Sequence, residues 1–141
     1  MKLSITRPDV WAAGIEDRPA ALLERLTALA ESGANLEFVL ARRTFEQPGK
    51  GVVFVAPLKG AKQSKAARTA GFLNAASLHA VRVEGPDQPG IGARIARTVS
   101  EAEINLRGFS ASAIGKKFVA YLALDDEEDA RKAVRVLRRL G

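Results

Sequence analysis

Cysteine is absent from the 141-residue chain, which removes disulfides, thiol nucleophiles and Cys-ligated zinc together. The single histidine, His79, excludes any site that needs two imidazoles. No apolar run approaches the roughly 18 residues of a membrane helix. The N-terminus carries one Lys and meets Pro8 and Asp9 early, which argues against a secretory signal and for a cytoplasmic protein. What is present, 47% apolar and 27% charged residues, is the composition of a globular protein. A chain of this length buries about two-thirds of its unfolded surface, so it can build a core without metals or disulfides.

An internal repeat organises the chain. At an offset of 70, Asp17 and Pro19 fall on Asp87 and Pro89, and Ala34-Asn35-Leu36 falls on Ile104-Asn105-Leu106. Further on the offset becomes 66, where Gly49-Lys50-Gly51-Val52-Val53 meets Gly115-Lys116-Lys117-Phe118-Val119. The four-residue difference belongs in a hairpin loop.

Each half predicts the same elements. Residues 10–15 suit a strand, Asp17 offers a helix N-cap, and Leu22, Leu23, Leu26, Leu29 and Ala30 recur at helical spacing up to Gly33. Strands over 35–43 and 51–58 flank the turn Glu46-Gln47-Pro48-Gly49, and a polar helix covers 59–70. In the second half a strand over 80–84 leads to a helix from Asp87, strands follow at 105–113 and 117–124, and Asp125 to Asp129 open a last helix closed by arginines. The fold class is therefore α+β, with two ferredoxin-like βαββαβ units whose antiparallel sheets carry helices on one face. The first unit spans 8–77, with residues 72–76 as its fourth strand. The second spans 78–141 and stops without one. Residues 2–6 lie at the matching offset, and we expect them to return as its missing strand.

Asp87-Gln88-Pro89-Gly90 between strand and helix, with Ile104-Asn105-Leu106 opening the next strand, resembles an ACT domain, an amino-acid-binding regulatory module. As a tandem pair the resemblance covers nearly the whole chain and is similar to small stand-alone tandem ACT proteins. It implies a small ligand, usually an amino acid, bound at an interface between two such domains. The residues implied are Asp87, Gln88, Gly90, Ile91, Asn105 and Leu106, with Asp17, Arg18 and Asn35 as the counterpart in the first half. There Ala20 replaces Gly90, so a Cβ intrudes where a ligand would approach the backbone. Helix-start N–H groups suit the ligand carboxylate, and Asp87 or Asn105 could hold its ammonium. The plainer reading makes Asp87 an N-cap and Asn105 a turn residue.

Nucleic-acid binding is the rival from another class, since the RNA-recognition motif shares this element order. Residues 42–70 hold Arg42, Arg43, Lys50, Lys59, Lys62, Lys65 and Arg68 against Glu46 alone, a surplus equal to the whole +6 of the chain. Base stacking needs rings on the open sheet face, however, and Val52 and Pro57 occupy two of the three aromatic positions. The repeat also puts Trp11 and Phe54 in the core and turns Val53, Val55, Val119 and Tyr121 to the opposite sheet face. Nucleic acid is thus a disfavoured partner, and an apolar outer face predicts a homodimer.

Catalysis finds little support and an enzyme of unknown class is the third reading: His79 has no Ser or Asp at a motif spacing, and the Asp125–Asp129 acids suit a helix start better than a metal. The Gly85–Gly90 stretch lacks the Gly-Lys-Ser/Thr of a phosphate loop. The expectation is a non-catalytic regulatory or sensor protein with no cofactor, metal or membrane partner. It would bind an amino acid or similar metabolite and act on a regulated protein partner. A purely structural or partner-binding module is the remaining alternative.

Overall fold

A computed structural model describes residues 2–140. In chain order the strands and helices are β1 (Ser4–Thr6), β2 (Trp11–Glu16), α1 (Ala21–Glu31), β3 (Phe38–Arg43), β4 (Lys50–Ala56), α2 (Gly60–Thr69), β5 (Leu73–Asn74), β6 (Ala80–Pro86), α3 (Ile91–Glu101), β7 (Leu106–Ile114), β8 (Lys117–Leu124) and α4 (Glu127–Leu140). The chain forms two compact units. A composite unit joins the segment up to Pro8 to everything from Ser77 onward, and a continuous unit runs from Asp9 to Ala76. No described helix is long and apolar enough to cross a membrane.

Each unit is one four-stranded antiparallel sheet, ordered β1-β6-β8-β7 in the composite unit and β3-β4-β2-β5 in the continuous one. The N-terminal strand completes the composite sheet: Ser4, Ile5 and Thr6 pair with Glu84, Val83 and Arg82. Ile5 enters the core with Val81, Val83, Ile95, Leu122 and Leu137. Gly85 permits this close docking, because a Cβ there would lie 2.5 Å from Leu3 Cδ2. Arg7 then clamps the strand, its Nε donating to the Ala80 carbonyl at 2.7 Å and its two terminal nitrogens to Glu127 of α4 at 3.0 and 2.9 Å.

The corresponding strand of the continuous unit is shorter than the sequence predicts. β5 holds only Leu73 and Asn74, opposite Ala12 and Trp11, although Phe72 just before it is fully buried. Beyond Ala12 the edge of β2 is covered by a side chain instead of a strand. The half-buried Arg25 guanidinium donates to the Gly14 carbonyl at 3.0 Å and also to the Ala70 carbonyl at the end of α2. Ile95, buried in the composite core, stands where the repeat places Arg25.

Two predictions of register are corrected. Pairing of Trp11 with Val55 and of Val81 with Leu122 makes Val55 equivalent to Leu122, an offset of 67. The β3–β4 hairpin is thus longer than β7–β8 by three residues, not four, and a one-residue slip exchanges the faces of a strand. Val53 and Val55 accordingly lie fully buried in the core, and Phe54 faces the open side of the sheet opposite Ala12 and Leu40. Trp11 is in the core as expected, its Nε1 donating to Asp9 at 2.9 Å.

Candidate functional site

The loop from β6 into α3 turns sharply at Gly90, which adopts φ 82°. This left-handed residue, and not Asp87, is the N-cap of α3, and no side chain accepts a hydrogen bond from the helix's first turn. The loop is held by backbone alone: the Asp87 N–H donates to the Lys116 carbonyl, the Ile91 N–H to Gln88 and the Arg94 N–H to Gly90, at 2.8, 3.1 and 2.9 Å. Ile91 anchors the start of the helix in the core. Asp87, Gln88, Pro89 and Gly90 are exposed. Among the described residues, neither the Asp87 carboxylate nor the Gln88 amide has a side-chain partner.

The loop from β2 into α1 repeats this geometry. The Asp17 N–H donates to the Gly49 carbonyl at 3.0 Å, Ala21 to Arg18 at 3.3 Å and Glu24 to Ala20 at 3.0 Å. Ala20 is the N-cap with φ 71°, the same left-handed conformation that Gly90 adopts freely. Asp17 is again no cap. Its carboxylate receives Arg43 Nε at 2.8 Å, and Arg18 forks onto Glu24 at 2.8 and 3.2 Å. That fork raises the Arg18 pKa and lowers that of Glu24. A shallow cavity of about 210 Å³ opens beside these residues, between Ile15, Leu22, Arg42 and Gly51.

The two remaining helices differ. Asp126 caps α4, its carboxylate accepting from the Asp129 N–H at 2.8 Å, and Gln63 Oε1 accepts from the Lys59 N–H at the start of α2. The Lys59 N–H is that of the N-cap residue itself, so α2 has no side-chain cap either, and among the described residues the helices entered from the candidate loops share their bare first turns with α2. An uncapped first turn is a ready receptor for a carboxylate.

The asparagines stand elsewhere. β7 begins with Leu106 opposite Leu124 at the far end of β8, whereas Asp87 follows Pro86 opposite Lys117 at its near end. Seven strand residues at about 3.3 Å each set Asn105 roughly 20 Å from Asp87 within the unit. Asn35 is separated from Asp17 in the same way, since Phe38 pairs with Ala56 and Glu16 with Lys50. One small molecule on a single unit cannot touch both. Leu106 goes with Asn105, while Asp87, Gln88, Gly90 and Ile91 form one cluster and Asp17 and Arg18 another.

The open sheet faces also differ. Across the continuous unit a row runs Leu73–Ala12–Phe54–Leu40, and the equivalent row of the composite unit runs Thr6–Arg82–Tyr121–Ser110. Arg82 donates to the Tyr121 hydroxyl at 3.1 Å and stands over its ring. The continuous row carries one ring and no cation, which does not suit stacked and charged nucleic acid. Among the described residues, no three His, Asp or Glu come together as metal ligands.

Sequence reading missed the Arg43–Asp17 pair and the Arg25 clamp. The first was open to inference from the hairpin, which returns Arg43 to the end of β2; the second had no local signal, because its acceptors are backbone carbonyls from distant segments.

Residues 79–141 match the family model of the ACT domain. No curated protein sequence matches the chain. Among solved structures, a protein from Bacteroides thetaiotaomicron aligns over 96% of this chain and 90% of its own, at TM-score 0.74 and 16% identity. The ligand-free regulatory subunit of aspartate kinase from Thermus thermophilus aligns over 99% and 96%, at TM-score 0.66 and 14% identity. A structure of aspartokinase alpha and beta subunits aligns over the same shares, at 0.63 and 17%. At such identities these likenesses speak for the fold. Residues 79–141 match the ACT domain, and the same fold is repeated over Asp9–Ala76, so the chain is a tandem pair of units of one fold, the second of which carries the family match.

Proposed function

We propose that this chain is a non-catalytic regulatory module that binds an amino acid or a similar small zwitterion. The better site is the Asp87–Ile91 loop. The observation that carries this reading is the uncapped first turn of α3, entered through left-handed Gly90 and flanked by an unpaired Asp87. A ligand carboxylate would take the place of the missing cap, and the Asp87 carboxylate would receive the ammonium. The α1 loop is the weaker site, because Asp17 and Arg18 already hold Arg43 and Glu24. Asn105 and Asn35 would serve a ligand only where a second copy of such a unit brings its own strand start to the loop.

Regulation would follow from differential affinity for two conformations of the assembly. Within the same reading the chain works as a homodimer, with the apolar row Leu40–Phe54–Ala12–Leu73 as its open surface. Regulatory relatives of the fold, the aspartate kinase subunits, favour this role over a purely structural one.

Thermal unfolding in the presence of each of the twenty amino acids tests the proposal. One or a few should stabilise the chain by about 2.7 kcal/mol at a hundredfold excess over Kd. Asp87→Ala should abolish the effect and Asp17→Ala should leave it largely intact. Stabilisation by none of the twenty would defeat the reading.

A further inference from the structure

A further cavity lies in the composite unit, beside the end of the strand that leads to α3. It is a cleft of about 510 Å³ where the start of β1, the end of β6 and the β7–β8 turn meet, and it holds Lys2, Ser4, Glu84, Gly85, Lys116 and Lys117. Three lysines thus line this concavity with one acidic residue. That carboxylate is engaged elsewhere, since Glu84 accepts from Arg82 at 3.5 Å. Among the described residues, none of the three lysines has an ion-pair partner.

Chain geometry explains how one wall forms. Gly85 lets the N-terminal segment dock closely, with Leu3 Cδ2 and the Lys2 carbonyl 2.5 and 3.1 Å from where its Cβ would stand. Lys116 follows Gly115 in the turn and Lys117 opens β8, on the other side of β6 from β1. The cleft therefore has one cation on the docked N-terminal strand and two on the hairpin that faces it. Lysine ammoniums are compact charges that pair with phosphate and carboxylate oxygens alike. An anion of charge one would leave two of the three cations uncompensated; an anion of two or more charges would neutralise most of the excess.

We propose that this cleft binds a small multiply charged anion, a phosphate- or polycarboxylate-bearing metabolite, bridging Lys2 to Lys116 and Lys117. Bound there, the anion ties β1 to the sheet that it completes. The site adjoins the amino-acid loop without sharing its ligand groups: Pro86 lines the cleft just before Asp87, and the Asp87 N–H donates to the Lys116 carbonyl, but Asp87 and Gly90 do not line it.

Titration calorimetry with inorganic pyrophosphate and with citrate, at ionic strength held constant with sodium chloride, tests the proposal on the full chain. At least one of the two should bind saturably, and hydrogen exchange of residues 3–6 should slow on binding. Pyrophosphate alone would identify a phosphate ligand and citrate alone a carboxylate one. The double variant Lys116→Ala, Lys117→Ala changes two exposed residues at the start of β8 and should lose about tenfold or more in affinity. Lys62→Ala with Lys65→Ala, an equal charge change in α2 of the other unit, should bind as the parent does. Absence of saturable binding by both anions, or equal loss in the two double variants, would overturn the proposal. An amino-acid response that survives in the Lys116/Lys117 variant would leave the regulatory reading standing in either case.

Discussion

The same fold closes its fourth-strand edge in two ways within one chain. In the composite unit a strand from far away in sequence docks along β6, buries Ile5 and is fastened by Arg7. In the continuous unit only two residues pair with β2, and one guanidinium spans the rest of the edge. The residues beneath reflect the choice: Gly85 is bare where β1 passes over it, and Ile15 occupies the equivalent place where no strand passes. Closure by a strand buries apolar surface but depends on a segment separated by the whole other unit. Closure by Arg25 is local and satisfies two carbonyls without a long-range return of the chain.

The largest test of that difference is to remove the borrowed strand. A chain lacking residues 2–7 should lose the cooperative unfolding transition of the composite unit while the continuous unit still unfolds cooperatively. Truncating Ile5 to Ala alone should cost about 2–4 kcal/mol. The deletion also exposes the row that Ser4, Ile5 and Thr6 cover on β6 and the Glu127 carboxylate that Arg7 holds. Denaturant unfolding followed by hydrogen exchange separates the units, and equal loss of protection in both would show that their stabilities are not independent.

A smaller, two-sided test lies in the helix entries. Gly90 and Ala20 occupy the same left-handed position at φ 82° and 71°, but only the glycine does so without strain. A side chain in that region costs about 1–2 kcal/mol, and a glycine gives back about 0.5–1 of it through the freedom it has when unfolded. Ala20→Gly should therefore stabilise the continuous unit by about 0.5–1 kcal/mol, and Gly90→Ala should destabilise the composite unit by a similar amount. Both are read from denaturation midpoints. The same sign for the two changes would mean that the loops are not equivalent.

Much of the fold follows from patterns that the sequence displays openly. Val81 and Val83 alternate with Arg82 and Glu84, and their buried faces follow directly. The return of the N-terminal strand followed from counting elements, since a unit that ends on a helix lacks an edge. Phe54 went astray for a specific reason: the hairpin difference is three residues, and taking it as four moves the strand by one and inverts every face on it. The loops went astray for another. Aspartate before a helix resembles a cap, yet a left-handed Ala20 or Gly90 enters each helix first and leaves Asp17 and Asp87 short of it. Asn105 and Asp87 are neighbours in the repeat pattern and lie at opposite ends of the sheet, a separation that only strand direction reveals.

The smallest expected effect concerns how the borrowed strand is held in acid. The Arg7 fork on Glu127, with lesser help from His79 and Arg131, lowers the Glu127 pKa from 4.5 to about 2. A carboxyl with a depressed folded pKa contributes stability that is complete above its ordinary value and is lost as pH falls toward the depressed one. The composite unit should thus weaken between pH 4.5 and about 2. Both side chains are largely solvated, so salt should shrink the effect. Arg7→Met should flatten that part of the profile for the composite unit and leave the continuous unit's profile unchanged, because its β2 edge is held by Arg25 on carbonyls that do not titrate. An acid profile unaltered by Arg7→Met would mean that Glu127 does not fasten the strand, and the clamp would then reduce to the bond from Arg7 to the Ala80 carbonyl.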